Sequence, residues 1–471
     1  MRKLISPFVL LASICIVSAA TKPNIIFILA DDLGYTDLGC YGSKYYETPN
    51  LDRMAKQGIR FTDGHTSAPN CQPTRAALMS GQYMPRTGIY TVGGIDRFDW
   101  QSRPLRPVDN VNELSNDKIT VAEALKKAGY ATGMFGKWHL GKGDQHPSKR
   151  GFDEAIESSG VHFDFDTDPK TDYPKGRYLA DFLTDKATDF IRRHKDESFF
   201  LYLPHFGVHS PLQAKKEWIE KFKSKTPVGG HDNPTYAAMI ASVDESVGKI
   251  LGVLDELKLS ENTIVIFSSD NGGVGGYVRE GIKKGGDTTD NTPLRGGKGM
   301  LYEGGHRVPF IFRWPGKIPE GKTTDQTIIT VDLYPTFLEI AGAKPAKDYP
   351  LDGTSFLNVL TSGGISKLNR DAVYWHFPGY LGAGEGTWRT TPVGVIRSGD
   401  WKLMEFFEDG HLELYNLKDD LSEKNNLAAK NSAKAKELQT KLAAWRKDLK
   451  APMPTPNTPS DQPASQKKKK K

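Results

Sequence analysis

The chain has 471 residues, of which 38% are hydrophobic and 25% charged, a composition typical of a globular protein with one large domain, or a large and a smaller one. Its formal net charge of +6 includes seven positive charges near the two ends, on Arg2, Lys3 and residues 467–471, so the remaining body carries −1. A near-neutral body gives no support to nucleic-acid binding.

The first 20 residues predict an export signal. Arg2 and Lys3 precede an apolar run at about 4–17, and the small residues 18–20 follow as a cleavage site. A membrane anchor is the alternative, but the apolar run is short for crossing a bilayer. We therefore predict a signal peptide at 1–20, a periplasmic or secreted protein, and no stable membrane insertion.

Five short apolar runs predict the strands of a sheet. Most lack in–out alternation, which indicates strands buried on both faces, as in a parallel sheet covered by helices. Between them, Thr120–Glu123 is a capping box and apolar residues recur at helical spacing from Thr235 to about Leu257. Strands alternating with helices indicate an α/β fold. The runs are Asn24–Leu29, Ala131–Phe135, Phe199–Leu203, Thr263–Phe267 and Val308–Phe312.

The C-terminal part of the chain has a different pattern. Short antiparallel strands are predicted at Val393–Arg397, Trp401–Phe407 and His411–Asn416, followed by a helix at about 432–449. This arrangement indicates a small subdomain packed on the main body. After residue 451, a segment rich in Pro, Ser and Thr and the final lysines predict disorder.

Polar side chains follow four of the five apolar runs. In an open α/β sheet, ligands bind beyond the carboxyl ends of the strands, so these side chains are expected at one edge. Three carboxylates that converge repel one another unless a cation lies between them, and oxygen ligands favour calcium or magnesium over zinc. Each group alone is as well explained by a capped strand end or a turn. The residues are Asp31, Asp32, Lys137, His139, His205, His209, Asp270 and Asn271.

Cationic side chains accompany the carboxylates. Lys298 lies in the glycine-rich segment 293–299, which lets the backbone approach a ligand closely. Cations around a metal and a nucleophile suit an anionic substrate such as a sulfate or phosphate ester. Any one of them alone is usually a solvated surface charge or a structural histidine. The set is Arg75, Lys137, His139, His209 and Lys298.

Cys71 is the candidate nucleophile. Pro73 fits the first turn of a helix, so Cys71 is expected at that helix's N-terminus, where free N–H groups favour an anion. A thiolate of low pKa is one interpretation. A disulfide with Cys40 is the other, since an oxidising compartment could pair these two cysteines.

These segments resemble, in order along the chain, the formylglycine-dependent sulfatases of the alkaline-phosphatase-like superfamily, including secreted arylsulfatases and carbohydrate sulfatases. Each motif is modest alone, but the whole series in this order is specific. The motifs are Pro23–Asp32, Thr48–Asp52, Cys71–Arg75, Gly136–His139, His209–Pro211, Ser269–Gly272, Leu294–Lys298 and Tyr302–Gly305.

The resemblance implies a fold and a domain division. The expected fold is an alkaline-phosphatase-like sandwich, with a large, mixed, mainly parallel sheet covered by helices and a smaller C-terminal subdomain with an antiparallel sheet. We divide the chain into a signal peptide (1–20), a sulfatase catalytic domain (21–390), a C-terminal subdomain (391–451) and a disordered Lys-rich tail (452–471).

The resemblance also implies a nucleophile and a metal. Such enzymes oxidise the motif cysteine, here Cys71, to formylglycine, which requires a formylglycine-generating or other sulfatase-maturing enzyme. The aldehyde hydrate attacks sulfur with one hydroxyl group and expels sulfate with the other. One Ca²⁺ is expected, and its ligands by position are Asp31, Asp32, Cys71, Asp270 and Asn271.

The remaining residues receive roles by position. Arg75 is expected to orient the aldehyde hydrate, with Lys137 and His139 nearby. Substrate binding is expected from Lys137, His209 and Lys298, and His209 is the candidate to protonate the leaving alcohol. The chain departs from the family pattern at Gln72, which is bulkier than usual, and at His306, where an apolar residue is common.

The predicted function is hydrolysis of a sulfate ester on a sulfated carbohydrate. The alternatives are a phosphoric ester or phosphonate monoester hydrolase of the same superfamily, and a non-catalytic protein that binds anions or glycans. Loops set the specificity of such sites. Candidate residues for the rim of the substrate site are His146, His162, Asp164, Arg279 and His376.

Overall fold

The computed structural model describes residues 22–282, 286–384 and 387–458, so the predicted signal peptide and the terminal lysines lie outside the described residues. A mixed eight-stranded sheet forms the centre of the molecule. Its strands are β1 (Asn24–Ala30), β2 (Ile59–Phe61), β3 (Ala131–Gly136), β4 (Glu154–Glu157), β5 (Phe199–Pro204), β6 (Thr263–Ser269), β7 (Phe310–Arg313) and β8 (Lys322–Thr324).

The order of the strands across the sheet is β8-β2-β7-β6-β1-β5-β3-β4. Strand β7 runs antiparallel to β6 and β2, whereas the other neighbours are parallel. All seven residues of β1 and all seven of β6 are buried, as expected for strands covered on both faces. The predicted large, mixed, mainly parallel sheet is confirmed.

The register of the central strands aligns their carboxyl ends. Ala30 of β1 pairs with Ser269 of β6, so the residues that follow, Asp31 and Asp270, leave the sheet side by side. On the other side, Leu29 pairs with Pro204 of β5. Three chain segments therefore present their next residues at one point on the sheet edge, which is where the predicted site residues lie.

Helices cover both faces of the sheet, and one hydrophobic core lies on each side. The capping box of Thr120 and Glu123 begins α4, as predicted. No helix among the described ranges combines the length and the apolar content needed to cross a membrane. The helices are α1 (Pro49–Lys56), α2 (Cys71–Ser80), α3 (Met84–Thr87), α4 (Val121–Lys127), α5 (Leu179–Arg193), α6 (Lys216–Lys223), α7 (Pro234–Glu256), α8 (Glu303–His306), α9 (Leu333–Ile340), α10 (Leu357–Thr361) and α11 (Ser432–Asp448).

A second, antiparallel sheet of four strands lies near the C-terminus, and α11 packs on it. The apolar pattern predicts three of these strands but does not predict Val373–Phe377. Short two-stranded pairs join Gly64–His65 to Ile328–Ile329 and Leu381–Gly384 to Thr387–Thr390. The predicted division of the chain into domains stays a prediction. The strands of this sheet are β9 (Val373–Phe377), β10 (Val393–Ser398), β11 (Trp401–Phe406) and β12 (Leu412–Asn416).

The prediction of disorder from residue 452 is wrong for residues 452–458. Thr455–Pro456 pairs with Leu105–Arg106, and Asn457 donates hydrogen bonds to the backbone carbonyls of Gln101 and Arg103. Composition indicates disorder when a segment cannot bury apolar surface, but backbone pairing with an exposed edge orders this one without a core of its own.

A buried ionic network joins the C-terminal sheet to the main body. Lys402 of β11 lies 3.0 Å from Glu303 Oε1 and 2.8 Å from Glu423 Oε1, and all three side chains are fully buried. Its Nζ also contacts His306 Nε2 at 3.1 Å. Glu303 and His306 lie close enough to His65 to hold a metal ion. The Lys402 ammonium and the Arg307 guanidinium, which lies 2.7 Å from Glu303 Oε2, already supply the positive charge that Glu303 requires.

Candidate active site

Cys71 is the first residue of α2 and lies where the ends of β1 and β6 meet. Asn70 before it is extended, so the helix starts abruptly at the cysteine. Three atoms, the sulfur of Cys71 and one carboxylate oxygen from each of Asp31 and Asp270, lie within 4.8 Å of one another. The helix N-terminus and the two strand ends therefore bring a sulfur atom and two carboxylates together.

Arg75, one helical turn after Cys71, fixes this arrangement. Its Nε and Nη2 donate to Asp270 Oδ2 at 2.9 and 2.7 Å, and its Nη1 donates to the Lys137 carbonyl at 2.6 Å. The guanidinium also lies 3.6 Å from Asp31 Oδ2. Since Arg75 is fully buried, these contacts define its position without help from solvent.

Two lysines pair with the two aspartates that follow β1. Lys137 Nζ lies 2.6 Å from Asp31 Oδ2. Lys298 Nζ lies 2.6 and 2.7 Å from the two carboxylate oxygens of Asp32. Burial would raise the pKa of Asp31, but Lys137 and the neighbouring cations outweigh it and hold that pKa well below its ordinary value. Burial would lower the pKa of Lys298, but Asp32 raises it overall.

The oxygen atoms of this cluster fit a divalent cation. Asp31 Oδ1 and Asn271 Oδ1 are buried and accept no hydrogen bond. Burial and the charge of Asp31 raise the pKa of Asp270 well above its ordinary value, although Arg75 acts in the opposite direction. Two buried oxygens that only accept, beside three carboxylates gathered at one point, are ligands of the kind that Ca²⁺ or Mg²⁺ prefers.

The two histidines of the site differ in their environment. Burial, followed by the charges of Lys137 and Arg75, lowers the pKa of His139 to about 3, so its imidazole is neutral near pH 7. His209 is partly exposed, and its Nε2 lies 3.6 Å from Asp32 Oδ2. The Nδ1 of His209 donates to the Ser210 carbonyl at 2.6 Å, which leaves Nε2 free for a proton transfer.

Backbone geometry at the site is constrained. Asp32 and His139 have positive φ angles of 66° and 65°, a region that few non-glycine residues adopt and that often marks functional sites. Gly136 has a φ of 135°, and a Cβ there would lie 2.0 Å from the Pro204 carbonyl oxygen. Only glycine fits before Lys137, so the close approach of β3 and β5 determines where this lysine lies.

A cavity of about 910 Å³ opens above Cys71. Lys137, His139, His209 and Lys298 line it close to Cys71. The ten predicted site residues are thus brought together, five of them lining the cavity and the other five buried beside Cys71. Sequence reasoning missed other parts of the wall, which come from the 3₁₀ turn containing Arg97 and from the strand containing Arg389. No local signal in those segments distinguishes them from surface loops.

The five residues predicted for the rim do not line this cavity, and that prediction is wrong. His376 is buried against the Pro452 carbonyl, and His162 donates to the backbone carbonyl of His209. Arg279 forms an ion pair with Asp290. His146 and Asp164 also lie outside the lining of the cavity. Charged or aromatic character in a loop indicates exposure, but not the direction in which the side chain lies.

Three further expectations concern single residues. Cys40 and Cys71 are both free thiols, so the disulfide interpretation is wrong, and burial raises the pKa of Cys40 to about 12. Gln72 lines the cavity beside Cys71, and its side chain donates to the Asn112 carbonyl at 2.6 Å. His306 is fully buried and contacts His65 Nδ1 at 3.0 Å, in the network that joins the C-terminal sheet.

Comparison with known proteins identifies the family. The profile of the family described as Sulfatase matches residues 23–343, more than half of the chain. The chain belongs to the sulfatase family. It is a sulfuric ester hydrolase, as predicted, and the phosphoester and non-catalytic alternatives lose their support. A second profile, N-sulphoglucosamine sulphohydrolase, C-terminal, matches residues 297–450.

Individual relatives agree with this assignment. A sulfatase of Formosa agariphila is 37% identical and covers 91% of this chain and 89% of the relative. The N-acetylgalactosamine-6-sulfatase of Sus scrofa is 36% identical over 76% of this chain and 69% of its own length. The crystal structure of Ps i-CgsB in complex with k-i-k-neocarrahexaose superimposes with a TM-score of 0.75 at 32% identity, over 90% of this chain and 92% of the other. The predicted alkaline-phosphatase-like fold is confirmed.

Proposed function

We propose that this sulfatase removes sulfate from a sulfated carbohydrate outside the cytoplasm, using a formylglycine made from Cys71. The observation that carries the proposal is the placement of Cys71, whose Sγ lies within 4.8 Å of carboxylate oxygens of Asp31 and Asp270 beneath the cavity. Relatives support the substrate class, since one is an N-acetylgalactosamine-6-sulfatase and one is a structure with a bound neocarrahexaose.

Two groups complete the proposed site. A formylglycine-generating or other sulfatase-maturing enzyme would convert Cys71, and formylglycine supplies a hydrated aldehyde as a nucleophile that is regenerated after each turnover. One Ca²⁺ would be held by Asp31, Asp32, Asp270, Asn271 and the modified residue 71. When bound, it would supply Lewis acidity at the nucleophile.

The side chains of this chain bind the ester and move the proton. Lys137 and Lys298 line the cavity beside Cys71 and would bind the anionic sulfate oxygens and hold the ester in place. His209 would donate a proton from Nε2 to the leaving alcohol oxygen, a role that the neutral His139 does not fill near pH 7. Arg75 would orient residue 71 through its contacts with Asp270.

Mass spectrometry combined with activity tests the proposal. The protein is produced with a sulfatase-maturing enzyme, and the tryptic peptide 61–75 is weighed. We expect the aldehyde at position 71 and release of sulfate from sulfated saccharides. Cys71→Ser should lose roughly a thousandfold or more in kcat, whereas Cys40→Ser is the matched control and should keep the activity. A thiol that persists at position 71 in fully active protein would refute the formylglycine proposal.

A further inference from the structure

Part of the cavity wall carries cations that the described carboxylates do not neutralise. Arg97, Lys142 and Arg389 line the cavity, and none of them forms an ion pair within the described ranges. By contrast, Lys137 and Lys298 each pair with an aspartate. Two carboxylates, Glu113 and Glu157, also line the cavity, so the three unpaired cations exceed them by one and leave positive charge for a further anionic group of a ligand.

Arg389 is the best positioned of the three. It belongs to the strand Thr387–Thr390, and its guanidinium carbon lies 4.3 Å from the centre of the Tyr277 ring. This stacking holds the guanidinium plane but uses none of its N–H donors. The Nε of Arg389 is buried and has no hydrogen-bond partner. Together with the lack of an ion pair, this unpartnered donor leaves the Arg389 guanidinium available to a ligand in the cavity.

Arg389 is also tied to the sulfate site. The Tyr277 hydroxyl donates to the Lys298 carbonyl at 2.8 Å, so the ring under Arg389 is fixed to the loop that carries Lys298. A Cβ on Gly299 would lie 3.2 Å from Arg389 Cδ, so the arginine stem packs directly on the residue after Lys298. The two cations thus occupy neighbouring positions on one wall, one of them neutralised by Asp32 and the other not.

We propose that Arg389 binds a second anionic group of the substrate, so that this sulfatase prefers saccharides that carry a further sulfate ester or a uronate carboxylate beside the sulfate that is hydrolysed. The proposal rests on the proposed function, since it concerns a ligand whose first sulfate lies at Cys71. A planar guanidinium held by stacking, with free donors, suits an oxyanion of either kind. A bond to a charged donor changes affinity by roughly tenfold or more.

Binding to the Cys71→Ser protein separates affinity from turnover. The probes are matched pairs: N-acetylgalactosamine 6-sulfate against its 4,6-disulfate, and a neocarrabiose monosulfate against a disulfate. A third probe links a uronic acid to N-acetylgalactosamine 6-sulfate and distinguishes the carboxylate from the sulfate source. Isothermal titration calorimetry should show at least one doubly charged probe binding roughly tenfold more tightly than its singly charged partner.

The substitution Arg389→Met should reduce the ratio of affinities, doubly charged over singly charged probe, to below about threefold. The matched control is Arg103→Met, because Arg103 likewise lies over an aromatic ring, that of Trp388 at 6.0 Å, but is neutralised by Glu408. This control should leave the ratio unchanged. A purely structural role for Arg389 would instead weaken the binding of both members of a pair equally.

The two possible failures are distinguishable. If no doubly charged probe binds better than its partner, or if Arg389→Met lowers both affinities equally, the second-anion proposal is wrong even when sulfate is released. If the matured wild-type enzyme releases sulfate from none of the probes while the Arg389-dependent preference persists in binding, the proposed function fails and the second-anion site stands.

Discussion

Two nitrogens of Arg75 donate to a single oxygen of Asp270, Nε at 2.9 Å and Nη2 at 2.7 Å. Arg75 lies one turn after Cys71 in α2, and Asp270 directly follows β6, so this contact sets the helix N-terminus against the sheet edge. The other oxygen of Asp270 accepts from the backbone N–H of Asp32 at 3.2 Å. One carboxylate therefore fixes the position of the nucleophile relative to both strand ends.

Removal of divalent cations should destabilise the protein. With Ca²⁺ at a hundred times its Kd, binding to the folded state adds about 2.7 kcal/mol to the free energy of unfolding. We expect a chelator to lower the melting temperature and Ca²⁺ to restore it. Asn271→Ala removes one ligand and should require more Ca²⁺ for the same recovery. Melting curves that do not respond to chelation or to added Ca²⁺ would contradict the proposed cation site.

The role of His209 can be tested by varying the leaving group. His209→Gln removes the proton donor, so kcat/KM on a sugar sulfate should fall roughly a hundredfold or more. 4-Nitrophenyl sulfate releases a stable phenolate without protonation, so kcat/KM on this substrate should fall by less than about tenfold. His146→Gln replaces a histidine outside the cavity and serves as control. An equal loss on both substrates would indicate that His209 acts in binding rather than as the acid.

Gly136→Ala should damage both stability and catalysis. The new Cβ would lie 2.0 Å from the Pro204 carbonyl oxygen, at a φ of 135°. We expect the free energy of unfolding to fall by about 2 kcal/mol or more, and kcat to fall because Lys137 is displaced. Gly129→Ala is the matched control, since Gly129 has a φ of 87° but no atom near its Cβ position. It should cost about 1 kcal/mol and keep full activity. For each variant, urea denaturation measures the stability and sulfate release measures the activity.

Acid should destabilise the protein through its buried histidines. Burial lowers the pKa of His205 and of His376 to about 4. Because the unfolded chain takes up these protons below about pH 6.5, the stability that the neutral histidines contribute is complete above that pH and is lost between pH 6.5 and 4. Each accounts for about 3 kcal/mol when the loss is complete.

The substitution His376→Gln isolates one of these groups. In the variant, the free energy of unfolding from urea titrations should fall less steeply than in the wild type as the pH is lowered from 7 to 5. The difference in slope should correspond to the uptake of up to one fewer proton on unfolding. The comparison removes the opposing contributions of other titrating groups. Parallel pH profiles for the two proteins would show that His376 is not held neutral in the folded state.

The sequence predicted the centre of the sheet and missed its edges. Long apolar runs such as Asn24–Leu29 and Thr263–Phe267 are buried on both faces, and this burial is what makes them recognisable. Ile59–Phe61, Glu154–Glu157 and Lys322–Thr324 are three or four residues long and partly exposed at or near the edges. Their composition carries no periodic signal, and they become strands only because a neighbouring strand is available for pairing.

The residues of the candidate site also differ in how far the sequence could predict them. Asp31, Asp270 and Lys137 could be placed together because they follow central strands whose carboxyl ends share one edge. Cys71 and Lys298 lie on a helix and a loop, where the local sequence marks them as candidates but leaves their roles open, and the resemblance supplies those roles. Arg389 is 318 positions from Cys71 in the sequence and reaches the cavity only through the fold of the C-terminal part. Contacts of this kind depend on tertiary packing.

The Lys402 network has a consequence for how such enzymes can be rearranged. Glu303 belongs to the segment that follows Lys298, and its charge is balanced by a lysine supplied from β11. Removing that lysine would leave Glu303 with Arg307 as its nearest cation and the buried Glu423 without a cation partner among the described residues, a change that typically costs about 3–5 kcal/mol. A chimaera that exchanges the C-terminal sheet between relatives should therefore stay intact only when both ends of this ion pair are inherited together. Limited proteolysis should likewise fail to release either part as a stable fragment.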